Sequence, residues 1–155
     1  MTDMADQARP VLAAVRGRRH DLEAVLGQVE RALAAPGAGR AGRWLAGVRS
    51  ELSHLREGFA RHVEITEGSG GLHEEIVRRA PRLAPMVARL QDDHAAIGRA
   101  IEERLAAIPE DAGDDERVAD TREAVLALLA RLTRHRQSGA DLIYEAYSVD
   151  IGSGD

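Results

Sequence analysis

Residues 81–108 read PRLAPMVARLQDDHAAIGRAIEERLAAI. Leu83, Val87, Leu90, His94, Ile97, Ile101, Leu105 and Ile108 follow one another at spacings of four and three. That is the period of one face of an α-helix, so the segment predicts a single helix with one apolar stripe turned to a core. Pro81 and Pro85 suit its first turn, and Pro109 closes it. One position of the stripe is a histidine. An imidazole taken out of water needs a hydrogen-bond partner or a metal. A single such residue reads as a satisfied core histidine, so the question is whether other helices repeat the feature.

They do. A first helix is expected over residues 2–35, capped by Thr2 or Asp3, with the stripe Ala8, Val11, Leu12, Val15, Arg19, Leu22, Leu26, Val29 and Leu33. The break PGAG at residues 36–39 ends it. A second is expected over residues 42–67, with the stripe Leu45, Val48, Leu52, Leu55, Phe59, His62 and Thr66, stopped by GSGG at residues 68–71. The short segment LHEEIVRRA leads from there into Pro81. After the acidic connector EDAGDDE, a last helix is expected over residues 114–148. Its stripe is Val118, Val125, Leu128, Leu132, His135, Gly139, Leu142 and Ala146. Residues 148–155 read as a Gly-rich flexible tail. Four amphipathic helices with short connections predict an all-α protein, an antiparallel up-down-up-down four-helix bundle formed by one domain over residues 1–155.

Composition agrees with that class and removes several functions. Ala, Leu, Val, Arg and Glu dominate, and only 3% of residues are aromatic. The absence of cysteine excludes disulfides, zinc knuckles, iron–sulfur clusters and thiolate-ligated haem. A net charge of −5 argues against a dedicated nucleic-acid binder. No apolar run reaches the roughly 20 residues that span a bilayer, and residues 1–10 carry no signal-peptide core, so the expected location is cytoplasmic. No nucleophile–base arrangement stands out among the serines.

The histidines carry the functional signal. His62, His94 and His135 lie on the inner stripes of three helices. His62 and His135 are each roughly 20 residues into parallel helices, about 30 Å along the axis, and His94 on the opposed helix falls within a turn or two of that height. The two readings are one shared site and three separate packing histidines. His20 is flanking, with Arg19 on the stripe itself. His54 is placed deeper on the side of His62, and His73 is expected to be exposed.

This pattern resembles the haemerythrin-like, or HHE cation-binding, family. The resemblance covers nearly the whole chain and rests on one histidine per helix (His20, His62, His94 and His135) and on the segments FARHVEITEGSGGL, PRLAPMVARLQDDH and RHRQSGADLIYEAYSVDIG, which look like those of actinobacterial members. It implies a non-haem di-iron centre with histidine and bridging carboxylate ligands, serving oxygen binding, sensing, or peroxide and nitric oxide chemistry. The chain departs from the family where carboxylates are expected. Thr66 stands four residues after His62, with Glu67 next; Gly98 stands four after His94; Gly139 and Ala140 stand four and five after His135, and Asp141 faces away. Two iron ions close together need bridging anions, and Glu67 is the one inward candidate.

Gly58, Gly98 and Gly139 each lie one turn from a core histidine, at a cost of about 1 kcal/mol apiece relative to Ala. Close helix approach explains them, and so does a cavity wide enough for a flat cofactor. The expected cofactor is therefore iron, as haem b by preference, bound by His62, His94 and His135 with Gly98 and Gly139 making room. The alternatives are non-haem iron, mono- or dinuclear, with Glu67 and His20 as further ligands, and a metal-free bundle that binds a small ligand or a protein. The activity implied by iron is redox chemistry on a small molecule, an iron-dependent oxidoreductase among its forms.

Overall fold

Leucine, isoleucine and valine at helical spacing, with charged residues between them, fold here as four long helices and one short one. The computed structural model describes residues 4–110 and 113–148, without the side chains of residues 4–9, 11 and 18. Its elements are α1 (Met4–Ala34), α2 (Ala41–Glu67), α3 (Leu72–Arg79), a 3₁₀ turn (Pro81–Leu83), α4 (Ala84–Ala107) and α5 (Asp115–Ser148). No strand occurs among the described residues. The expected caps Thr2 and Asp3, and the tail beyond Ser148, lie outside the described residues.

The breaks follow local chemistry. The Gly68 amide bonds the Glu64 carbonyl at 2.8 Å and closes α2. Gly70 then turns the chain at φ +72°, a left-handed conformation that costs glycine little, and its amide donates to Glu74 Oε2 at 2.8 Å. Pro81 and Pro85 occupy first-turn positions, where a missing N–H costs nothing, so the expected single helix splits into a 3₁₀ turn and α4. Asp114 serves α5 from outside it, its Oδ1 accepting the Arg117 amide at 2.9 Å. Across the bundle end, Arg49 Nη2 donates to the Ile108 carbonyl at 2.6 Å and ties α2 to the close of α4.

α1 packs along α2, α4 packs on α5, and α2 also meets both α4 and α5. The buried side chains form two apolar clusters. The larger contains Leu22, Leu26, Val29, Leu52, Phe59, Ile97, Ile101, Val125 and Leu132. The smaller contains Val15, Leu72, Ile76, Val87, Leu90 and Leu142, with α3 forming one wall. Each fully buried aliphatic side chain contributes about 1.5–3 kcal/mol of transfer free energy, so the two clusters hold the helices in register. Where one cluster gives way to the other, each long helix carries a polar residue. Arg19 lies between Val15 and Leu22, His62 follows Phe59, His94 lies between Leu90 and Ile97, and His135 lies between Leu132 and Leu142. The fold thus sets one polar layer across an apolar bundle. No helix among the described residues is long and apolar enough to cross a membrane.

Candidate metal centre

In the polar layer, α2, α4 and α5 each deliver one imidazole to a common point. One ligand nitrogen from each of His62, His94 and His135 lies within 4.8 Å of the others. His94 and His135 are 4% and 3% exposed, and His62 is half-buried. The ring centroids are 5.1 Å apart for His62 and His94, 4.6 Å for His94 and His135, and 5.7 Å for His62 and His135. Phe59, the one phenylalanine of the chain, stacks on His62 at 5.9 Å and meets the edges of the other two rings, closing the site toward the larger cluster.

The outward nitrogens are held by carboxylates. His94 Nδ1 donates to Glu67 Oε1 at 2.6 Å, and His135 Nδ1 donates to Asp93 Oδ2 at 2.7 Å. A carboxylate accepts only, so each bond places the proton on Nδ1 and leaves the Nε2 lone pair for the interior. This is the carboxylate–histidine arrangement that orients metal-ligating imidazoles and raises their basicity. The Nε2 atoms of His94 and His62 stand 3.2 Å apart. Two nitrogens bound to one tetrahedral ion at about 2.0–2.1 Å lie about 3.3 Å apart, so this pair already has the spacing of two ligands. Without an ion, His62 Nε2 donates to His94 Nε2; with its proton moved to Nδ1, His62 would present the same nitrogen to a metal.

The electrostatics disfavour the charged form of His62 and of His94. Burial pushes His62 down to about 3, and the neighbouring His94, His135 and His73 and the Arg19 guanidinium push the same way. Burial likewise brings His94 down to about 3, with His135 and His73 adding to it and Asp93 opposing. Both are therefore neutral at pH 7, as ligation requires.

Beside the triad is a cavity of about 40 Å³, bordered by Val15, Leu22 and Leu142 and by Arg19, Arg136 and Gly139. A water molecule needs about 10–15 Å³ of such space, so there is room for an ion and a ligand of a few atoms.

Several expected site residues lie elsewhere, and others were not anticipated. His20 is on the outer face of α1, its side chain 83% exposed and 3.7 Å from Glu23, because Arg19 takes the inward position and the next residue is turned about 100° away. Glu67 holds a ligand from outside and does not aim its carboxylate at the centre. Gly139 borders the cavity; Gly98 is half-buried and does not. Thr66 spends its hydroxyl on the His62 carbonyl at 2.9 Å. His54 is exposed and pairs with Glu51 at 3.3 Å. Asp141 is exposed and accepts from Gln137 at 3.0 Å.

His73 corrects the expectation of exposure. It is 4% exposed, stacks flat on His94 at 5.7 Å, and accepts from Gln91 at 3.3 Å. Burial lowers its pKa, with Glu67 opposing. The signal was present in the sequence, since His73, Ile76, Ala80 and Leu83 repeat at spacings of three and four. Asp93 left no such signal. It is adjacent to a stripe histidine, and its role depends on α5 lying against α4.

Comparison with protein-family models, with characterised proteins and with solved structures gives no match to this chain.

Proposed function

We propose that the protein is a metalloprotein with one first-row transition-metal ion bound by His62, His94 and His135. The observation that carries this is the convergence of three nitrogens on one point while two of the rings are steered there by partly buried hydrogen bonds to Glu67 and Asp93. The hydrogen bond between His62 and His94 accounts for two of the nitrogens; a shared cation accounts for all three. Three imidazoles suit zinc, iron, copper or nickel, and they leave a fourth position open, as catalytic and ligand-binding metal sites do. A bound ion there supplies Lewis acidity toward a small molecule in the adjoining cavity.

Geometry favours a single ion over the two larger cofactors. Haem b is held by one imidazole, or by two on opposite faces of a planar macrocycle, whereas the His62 and His94 rings meet at hydrogen-bond distance beside a cavity of about 40 Å³. A second iron needs bridging carboxylates, and Glu67 and Asp93 are spent on Nδ1 atoms. The haemerythrin-like resemblance remains a proposal resting on the histidine order and the four long helices. In this reading the up-down-up-down bundle is kept and the dinuclear centre is reduced to a mononuclear one, with iron the metal the resemblance favours.

The test is equilibrium dialysis of the purified protein against Zn(II), Fe(II) and Co(II), with total metal measured. The parent is expected to hold one ion, and His62→Ala, His94→Ala and His135→Ala each to lose it at micromolar metal. His20→Ala is expected to retain it. Retention of metal by all three triad variants would show that the ion binds somewhere else.

A further inference from the structure

Three residues of the polar layer are imidazoles, and the fourth helix contributes a guanidinium. Arg19 occupies the α1 position that histidine takes on α2, α4 and α5, and it lines the same cavity. It has no carboxylate partner among the described residues, and its charge reaches His62. Arg136 borders the cavity from α5. Its Nη2 pairs with Glu23, while its Nε–H is buried with no hydrogen-bond partner among the described residues. A buried donor left unsatisfied is costly, so this one is placed for an acceptor that comes from outside the chain.

The charge balance points the same way. Neutral imidazoles leave the charge of a divalent ion uncompensated at its ligands, and the Arg19 guanidinium adds to it, whereas that of Arg136 is paired with Glu23. The carboxylates nearest the site, Glu67 and Asp93, sit behind the rings. The remaining lining residues, Val15, Leu22, Leu142, Thr66 and His73 among them, include no carboxylate and offer no counter-charge.

We propose, resting on the metal reading above, that the cavity is a binding site for a small oxyanion of about three or four heavy atoms, held between the metal and the guanidiniums of Arg19 and Arg136. The class comprises formate, nitrite and bicarbonate. Planar guanidinium donors match two oxygens of such an anion, and the cavity of about 40 Å³ shuts out anything with a longer carbon chain. A neutral molecule of the same shape forfeits both charge pairings. Arg19 is a binding residue in this account, and its counterpart on the other helices is a metal ligand.

The experiment uses the full chain loaded with Co(II), whose visible spectrum reports changes at the metal. Sodium formate is titrated at constant ionic strength, with formamide as the neutral molecule of matching shape. Formate is expected to shift the spectrum to saturation and formamide to leave it unchanged. Arg19→Met is expected to weaken formate about tenfold, the loss of one charge-assisted pairing, and Arg19→Lys by less, with one Co(II) per chain in every case. Equal formate affinity in the parent and Arg19→Met, or binding of formamide as tight as formate, would overturn the proposal while leaving the metal centre standing. Failure of the parent to take up Co(II), Zn(II) or Fe(II) would overturn the metal centre and the anion site together.

Discussion

Glu67→Gln and Asp93→Asn remove a charge from behind a ligand without touching the ligand. Both substitutions nearly preserve shape, so the triad keeps its packing against Phe59 and the two clusters. What changes is the proton acceptor on His94 Nδ1, at 2.6 Å, and on His135 Nδ1, at 2.7 Å. Removing such a partner costs about 10–100-fold in metal affinity, or about 1.4–2.7 kcal/mol. The two carboxylates differ in a way that orders the variants. Asp93 also faces Arg131 at 3.4 Å, a half-exposed cation that already draws on its charge, whereas Glu67 has no such partner among the described residues. Glu67→Gln is therefore expected near the upper end of the range and Asp93→Asn near the lower. The carboxylates act on different rings, so the double variant is expected to lose roughly the product of the two factors. Competition with a chromophoric chelator for Zn(II) at fixed pH measures each affinity. Affinities within twofold of the parent in both single variants would refute the reasoning, since the carboxylates would then have no metal-ligating imidazoles to orient.

Other consequences follow from burial and from protonation. The metal-free protein is expected to lose stability on acidification below about pH 6.5. Folded His62 and His94 resist protonation to about 3, so the unfolded chain binds more protons over the window between those values. The slope is about 1.4 kcal/mol per pH unit for each such histidine, and urea unfolding between about pH 7 and 5 is expected to fall less steeply for His62→Gln; equal slopes would refute it. Leu132→Ala, fully buried one turn before His135, is expected to cost about 2–5 kcal/mol, while Leu126→Ala, half-exposed on the same helix, stays within about 0.5 kcal/mol by chemical denaturation.

The helices were legible in the sequence because their information is local. The spacing of Leu83, Val87, Leu90, Ile97 and Ile101 names a helix and its inner face without reference to anything distant. The breaks at residues 36–39 and 68–71 are equally local, since proline and glycine act on their own backbone. The three histidines were legible for the same reason, each standing where a leucine would pack. Their hydrogen-bond partners were not. Asp93 is next to His94 yet serves His135, which is 42 residues away in sequence. Glu67 was recognised as the inward acid, but only the approach of α2 to α4 shows that its oxygen meets Nδ1 of a ring and not an ion. His73 was misplaced because its surroundings were read as loop-rich, although the periodicity of the segment turns His73 and Ile76 inward. Arg19 was seen on the stripe of the first helix, and its meaning emerged only when that stripe was set level with the three imidazoles.

X-ray absorption spectroscopy of the metal-loaded protein, with total metal measured on the same sample, tests the central claim most directly. The account predicts one ion per chain with three imidazole nitrogens at about 2.0–2.1 Å, completed by light oxygen ligands, with no second metal in its shell. A metal–metal distance with two ions per chain, a macrocycle signature with an intense near-ultraviolet haem band, or an ion without imidazole ligands would contradict it.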